Sequence, residues 1–290
     1  VEQPFISSRR NPLVRRLRAL AARKGRDQEG LLLLEGTHLV QELVTLLQQH
    51  RWPHDQGLWD LVATPAWMDA HAALLARFPC APRIQLVSEE VLQAALTTVH
   101  PDGVAALIPL GCLPKGPIDP TFVLALDRLQ DPGNLGTLIR TALAADIDML
   151  WQGSGADPLS PKVVRSSAGA VLRLPHDRFG PSEHDGVEGL RQALLDARDR
   201  GLQVVATLVP GAGAPVPVCP YWQLDWTLPT VLVLGNEGSG LHPKLLACCS
   251  HGVTLPHSPA VESLNVASAA VPLLLERRRA TMTATSQQTG

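Results

Sequence analysis

Three short stretches carry the residue types that handle a charged or polar ligand. In the first, Asn134-Leu135-Gly136-Thr137-Leu138-Ile139-Arg140 sets an amide at the end of a strand and turn and a guanidinium two turns into the next helix. Such a pair has three uses. Asn134 is an N-cap and Arg140 an ion-pairing surface residue; or free helix amides and a close backbone approach hold an anion, although the Gly-Lys-Ser/Thr ending of a phosphate loop is absent; or the two act as a catalytic pair on a nucleic acid. In the second, the apolar run 231–234 ends in Gly235-Asn236-Glu237-Gly238-Ser239-Gly240. It lacks the three-glycine dinucleotide fingerprint, so it is either a flexible turn or a strand end delivered to a ligand. In the third, Leu255-Pro256 precedes Glu262-Ser263-Leu264-Asn265-Val266, where Ser263 and Asn265 cap a helix start or meet the same ligand.

Periodicity supplies the elements that must position these residues. An amphipathic basic helix starts near Asn11, with Leu13, Leu17, Leu20 and Ala21 on one face. Strands are expected at 31–34, 58–63, 84–87 and 103–108, with helices following 35–37, at 65–78 and after Ser88. Residues 1–110 then form a small α/β domain, and the proline- and glycine-rich stretch 111–120 a linker. A second α/β domain occupies 121–279, with strands at 122–126, 148–151, 170–174, 202–208 and 231–234. Its helices are expected at 135–145, 160–167, 187–200 and 260–278, with loops at 175–187 and 210–220. The small, polar residues 280–290 read as a disordered tail.

Composition bounds the classes. The chain of 290 residues is 45% apolar with a formal charge of -2, which rules out a uniformly basic protein. The charges are uneven, because Arg9, Arg10, Arg15, Arg16, Arg18, Arg23, Lys24 and Arg26 crowd the first 30 residues. Such a cluster is a solvated helical face or a nucleic-acid surface. Five cysteines fall in no metal-ligand spacing and their odd number argues against a disulfide framework, so reduced, mostly buried thiols and no metal are expected. No apolar run reaches membrane-spanning length and no apolar N-terminal stretch precedes a cleavage site; the expectation is a cytoplasmic protein.

Taken together and in this order, the three stretches resemble the SpoU/TrmH group of the SPOUT superfamily, RNA ribose 2'-O-methyltransferases that use S-adenosyl-L-methionine. The resemblance covers about residues 120–279. More weakly, Leu33-Leu34-Glu35-Gly36 and Pro101-Asp102-Gly103-Val104 are similar to the N-terminal substrate-binding domain of rRNA-modifying members, an α/β domain like ribosomal protein L30e. The resemblance implies an α/β fold with a deep trefoil knot, a homodimer, and donor contacts from main chain around Leu208, Gly235, Leu255 and Leu264. It places Arg140 nearest the ribose hydroxyl, with Asn134, Glu237, Ser263 and Asn265 orienting the hydroxyl and the ribose-phosphate. An ordinary guanidinium stays protonated at neutral pH, so Arg140 is easier to defend as a donor to phosphate and alkoxide than as a base; Glu237 is the other proton acceptor. One departure stands out: many relatives read Ser-Leu-Asn-Val-Ser, and here Ala267 takes the last serine's place.

The RNA would meet Arg9, Arg10, Arg15, Arg16 and Arg18 through its phosphates, with the target nucleotide in a loop or extruded. One tyrosine and four phenylalanines point to limited reliance on those residues for base stacking, while six tryptophans keep stacking open. Ribosomal RNA is favoured over transfer RNA, because the family's transfer-RNA enzymes often lack such an N-terminal domain. The rival expectations are a catalytically inactive knotted RNA-binding protein and a phosphate- or nicotinamide-binding metabolic enzyme.

Overall fold

The computed structural model describes residues 4–49, 60–180, 182–209, 214–236 and 238–288. The chain divides into two compact units, Val1–Leu113 with Asp157–Gly169, and Pro114–Ala156 with Ala170–Gly290.

The first unit runs α1 (Pro12–Ala19), α2 (Arg23–Glu29), β1 (Leu31–Glu35), α3 (Thr37–Gln48), β2 (Asp60–Ala63), α4 (Pro65–Ala70), α5 (Ala72–Leu75), β3 (Arg83–Leu86), α6 (Glu89–Ala95) and β4 (Val104–Pro109). Its sheet has the order β1-β4-β2-β3, with β4 antiparallel to both neighbours and β3 parallel to β2. Helix α1 starts as its sequence dictates: Asn11 accepts from the Leu13 amide at 2.9 Å and Pro12 fills the first turn. Val14, Leu17 and Leu20 enter a core with Val91, Leu92 and Ala95 of α6, which turns the arginines outward. Two details differ from the periodicity. The polar stretch 23–29 is helical, closed by left-handed Gly30, and the expected helix 65–78 breaks at His71. The His71 ring stacks on Trp67, 4.6 Å between centroids, with Nδ1 against the Trp67 carbonyl.

The second unit runs β5 (Phe122–Leu126), α7 (Pro132–Ala144) and β6 (Met149–Gln152). After α8 (Pro161–Ser166), which groups with the first unit, come β7 (His176–Arg178), α9 (Glu183–Asp199), β8 (Gln203–Leu208), β9 (Val218–Pro220), β10 (Thr230–Leu234), α10 (Pro243–Leu246), β11 (His251–Thr254) and α11 (Val266–Gln288). All seven strands are parallel, in the order β7-β6-β5-β10-β8-β11-β9. Strands β5 and β10 are buried throughout, as apolar runs covered on both faces must be. The register aligns their ends: Leu234 is level with Leu126, and Thr254 with Leu208.

Several boundaries move. Residues 170–172 form a 3-10 turn in place of the expected strand at 170–174, because the Arg173 and Leu174 amides bond back to the Ala170 carbonyl; the strand is the shorter β7. Helix α9 starts four residues early, at a Ser182 cap. The expected loop 210–220 ends in edge strand β9, residues 210–213 lying outside those described. Helix α11 starts at Val266 and its backbone stays helical to Gln288, through most of the segment read as a disordered tail. Residues 280–288 include no glycine or proline, so the sequence places no strong breaker in the helix before Gly290.

The segment Asp157–Gly169 groups with the first unit through charge. Arg26, 1% exposed, pairs with Asp157 and donates to the Leu20 and Ala21 carbonyls at 3.0 Å. Arg165 bonds the buried Glu35 carboxylate at 2.8 Å, and Thr97 and Thr98 donate to the same group. All five cysteines are free, and burial pushes the Cys249 thiol up to about 12. Among the described residues no helix is long and apolar enough to cross a membrane.

The Arg277 guanidinium of α11 is buried, donates to the Trp226 and Leu228 carbonyls, and lies 5.3 Å over the Phe122 ring. Desolvation draws its pKa below the usual range. Arg277→Met leaves two carbonyls unsatisfied and is expected to lower stability by about 2 kcal/mol, read by urea unfolding. An unchanged midpoint would show that this side chain does not anchor the helix.

Candidate active site

Past the C-terminal ends of β8, β10 and β11 lies a pocket of about 340 Å3. Leu208, Gly235, Leu255 and Leu264 all line it, and so does Ser263. Leu208 ends β8, Gly235 follows β10 and Leu255 follows β11, so parallel pairing delivers three of the four; Leu264 arrives from the segment before α11. Such a crevice beyond the strand ends is where open α/β sheets bind ligands.

The wall at Gly235 is main chain. A Cβ there would stand 2.5 Å from the Gly240 carbonyl carbon and the Leu241 nitrogen. The loop closes because Asn236 and Gly240 exchange two backbone hydrogen bonds of 3.0 Å, while the Asn236 Oδ1 accepts from the Gly238 and Ser239 amides. Glu237 lies outside the described residues.

Asn134 is not the helix cap. Asp131 caps α7, accepting from the Asn134 amide at 2.7 Å, and the helix starts three residues earlier than expected. The Asn134 side chain thereby faces α11, where its Oδ1 accepts from Asn265 Nδ2 at 3.1 Å. Asn265 takes the capping role: its Oδ1 accepts from the Ala267 and Ser268 amides at the start of α11, while its Nδ2 reaches Asn134. Arg140 is exposed, two turns along α7, and its side chain makes no hydrogen bond or ion pair with a described residue. Ser263 is exposed at the pocket rim. Ala267 is buried, so no side chain is missing from the rim at that position.

Further residues come to light with the fold. Thr207 and His257 line the pocket, as do Asn236 and Glu262, which the motif stretches include without assigning them a role. Asp127 and Arg128, directly after β5, reach the glycine loop from below. Asp127 is buried and accepts from Arg128 Nε at 3.0 Å and from the His242 amide at 2.8 Å. Arg128 holds a left-handed φ of 53°, a conformation costing a side-chain-bearing residue about 1 kcal/mol. Its guanidinium is held above its usual range chiefly by the hydrogen bond to Asp127. An acid beside a base reads in sequence as surface charge, so only the buried strand just before them hinted at a role.

The five N-terminal arginines are all exposed. Arg9 and Arg10 precede α1. Arg16 pairs with Glu29 at 2.8 Å and Arg18 donates to the Ala94 carbonyl, whereas the Arg15 side chain has no hydrogen-bond or ion-pair partner among the described residues. No group of three His, Cys, Asp or Glu side chains gathers among the described residues.

Because any side chain at 235 collides with backbone, Gly235→Ala is expected to open the loop and to weaken ligand binding at the pocket at least tenfold. Calorimetric titration reads this; unchanged affinity would remove the loop from the site.

The profile of the SpoU rRNA Methylase family matches residues 121–274, and that of an MRM3-like substrate binding domain matches residues 11–106. An uncharacterized tRNA/rRNA methyltransferase of Synechocystis sp. is 40% identical, over 94% of this chain and 93% of its own. The 23S rRNA (guanosine(2553)-2'-O)-methyltransferase of Bacillus subtilis is 28% identical, over 94% and 98%. Among solved structures, the AdoMet-bound rRNA methyltransferase of Sinorhizobium meliloti superposes with a TM-score of 0.71 at 29% identity, covering 95% of this chain and 97% of that one. The SpoU methyltransferase AviRb of Streptomyces viridochromogenes in complex with AdoMet gives 0.70 at 26%, covering 94% and 100%. With a matched profile over half its length and a relative at 40% identity across nearly all of it, the chain belongs to the SpoU rRNA Methylase family.

Proposed function

We propose that the chain transfers a methyl group from S-adenosyl-L-methionine to a ribose 2'-hydroxyl of ribosomal RNA. One observation carries the reading: the four residues expected to hold the donor line one pocket, and Leu264 of that pocket adjoins Asn265, which bonds Asn134.

The residues present suit the donor. The pocket has the size of a small-molecule site and is walled by main chain at Gly235, where a flat adenosyl group needs a close approach. Thr207 keeps a buried Oγ1 without a partner among the described residues, and rotation about χ1 turns it to a ligand's polar edge. The Glu262 carboxylate at the rim complements a cationic amino-acid moiety. Leu208, Gly235, Leu255 and Leu264 hold the donor, which supplies an electrophilic methyl on a sulfonium.

The chain's own groups do the rest. The Asn134–Asn265 bond fixes α7 against α11, so Arg140 projects from a helix of set position. The Arg140 guanidinium grips the ribose-phosphate and stabilises the alkoxide that develops on the 2'-oxygen. Ser263 orients the hydroxyl from the rim, and Glu237 is assigned the proton that the 2'-hydroxyl gives up as its oxygen takes the methyl group. The first unit selects the RNA: Arg9, Arg10, Arg15, Arg16 and Arg18 meet phosphates, and the rRNA-modifying relatives that match 90% or more of the chain favour ribosomal over transfer RNA.

Two finer features belong to the same reading. The α/β unit with sheet order β1-β4-β2-β3 supports an L30e-like fold for the first unit. A deep trefoil knot is supported by the path of the last segment: it leaves β11, beyond β8, and meets α7, which follows β5 on the far side of β10. A homodimer is supported by exposed Val271, Leu275 and Met282, at 37%, 42% and 61%, on one stripe of α11. A donor-bound crystal structure reads threading and second copy directly, and an unthreaded monomer would refute both.

Tritiated methyl transfer to unmodified ribosomal RNA, with mapping of 2'-O-methyl sites, tests the activity; RNA binding without donor binding would instead support an inactive RNA-binding protein. Arg140→Ala is expected to cut transfer by about 100-fold or more with the fold intact, and full activity would refute its role. Replacing Arg10 and Arg15 together by Ala should flatten the salt dependence of RNA binding by about two phosphate contacts. An unchanged slope would place the RNA elsewhere.

A further inference from the structure

The glycine loop that walls the donor pocket is not held by its own bonds alone. Its closing pair, Asn236 with Gly240, is tied by two backbone hydrogen bonds, and glycines at 238 and 240 put little conformational restraint of their own on the chain. Contacts from outside the loop add restraint. Asn236 Nδ2 donates to the Arg128 carbonyl at 2.9 Å. The amide of His242, just past the loop, donates to Asp127 Oδ2 at 2.8 Å. Arg128 Nη2 lies 3.4 Å from the Ser239 hydroxyl, and the same guanidinium takes Asp127 by Nε at 3.0 Å and by Nη2 at 3.2 Å. Asp127 itself is fixed by the sheet, since its amide donates to the Leu234 carbonyl at 2.9 Å.

The conformation of Arg128 supports a positioning role. A left-handed backbone at a residue with a side chain is maintained only where its surroundings demand it. Here it lets the guanidinium fold back on the preceding carboxylate while its carbonyl meets Asn236. Arg128 also reaches Glu183 at 3.1 Å, but that carboxylate is 65% exposed and the bond is screened by solvent. The buried end of the pair is the one aimed at the loop.

We propose that Asp127 and Arg128 are positioning residues for the methyl donor: they latch Asn236, Ser239 and His242, and with them the Gly235 wall, in the binding conformation without touching the ligand. This rests on reading the pocket as the donor site. Affinity then depends on the fraction of time the loop is latched, so unlatching raises the dissociation constant by the inverse of that fraction.

Arg128→Gly separates the latch from general stability. Glycine accepts the left-handed backbone without strain, which offsets the lost ion pair, so the melting temperature without donor should move little. Titration calorimetry with S-adenosylmethionine should show about tenfold weaker binding. Hydrogen exchange should show the Gly240 and His242 amides opening faster by a similar factor, with the β10 amides unchanged. Arg128→Lys keeps the charge but not the two-point grip and should fall between. Asp127→Asn should act in the same direction, and Glu183→Gln should leave affinity within about twofold. Unchanged affinity and exchange in Arg128→Gly would overturn the latch. Faster exchange there, with no donor binding by the unaltered chain, would keep the latch and overturn the donor reading. A lower melting temperature with unchanged affinity would make the pair merely structural.

Discussion

The parallel pairing of β10 with β5 on one side and β8 on the other is the constraint on which the site depends. With β5 and β10 buried on both faces, a one-residue slip would exchange the differently sized side chains packed on the two sides, so close packing on both faces holds the register. Leu234 must therefore end level with Leu126, and β11, paired to β8, ends with Thr254 level with Leu208. The first residues after these strands, Asp127, Gly235 and Leu255, are thereby delivered to one edge of the sheet. Beyond that edge regular ladder pairing gives way to the Asp127–Leu234 bond and the Asn236–Gly240 pair, and the crevice between the strand ends is open to a ligand.

Helix ends do the second part of the assembly. Asp131 takes over the capping of α7, so the Asn134 side chain is not spent on its own helix. Asn265 divides its amide, the oxygen capping α11 and the nitrogen crossing to Asn134. Had Asn134 been the cap, its oxygen would have been turned to its own backbone and the two helices would lack this tie. Arg277 secures α11 further along by satisfying two carbonyls after the 3-10 turn near Trp226. The polar groups at the site are thus oriented by atoms that cannot be spared from helix termini or buried carbonyls.

This explains which parts were legible in the sequence. The all-apolar runs at 122–126 and 231–234 announce buried strands, and glycine, asparagine and serine after such runs mark their ligand-facing ends. The run 170–174 is as apolar, yet burial alone does not make a strand, and local bonds to the Ala170 carbonyl turn it into a 3-10 segment. The Asp127-Arg128 pair was invisible because its function depends on a left-handed φ and on a loop 108 to 115 residues away. The grouping of 157–169 with the first unit was equally hidden, since Arg26 and Glu35 choose partners more than a hundred residues distant.

Those same contacts revise the meaning of the positive charge. Counted along the chain, arginines suggest a broad surface for an anionic partner. In the fold many are committed internally: Arg26 is buried on Asp157, Arg165 holds Glu35, Arg128 grips Asp127 and Arg277 satisfies carbonyls. A guanidinium already saturated by a buried carboxylate has little to offer a phosphate, because breaking that pair strands the carboxylate in a dry site. Arg140 and Arg15, exposed and without an ion-pair partner among the described residues, face no such cost. A modest number of uncommitted cations is compatible with a chain of formal charge -2 and with selective binding, since each phosphate contact adds affinity for any nucleic acid alike and only position on the scaffold adds discrimination.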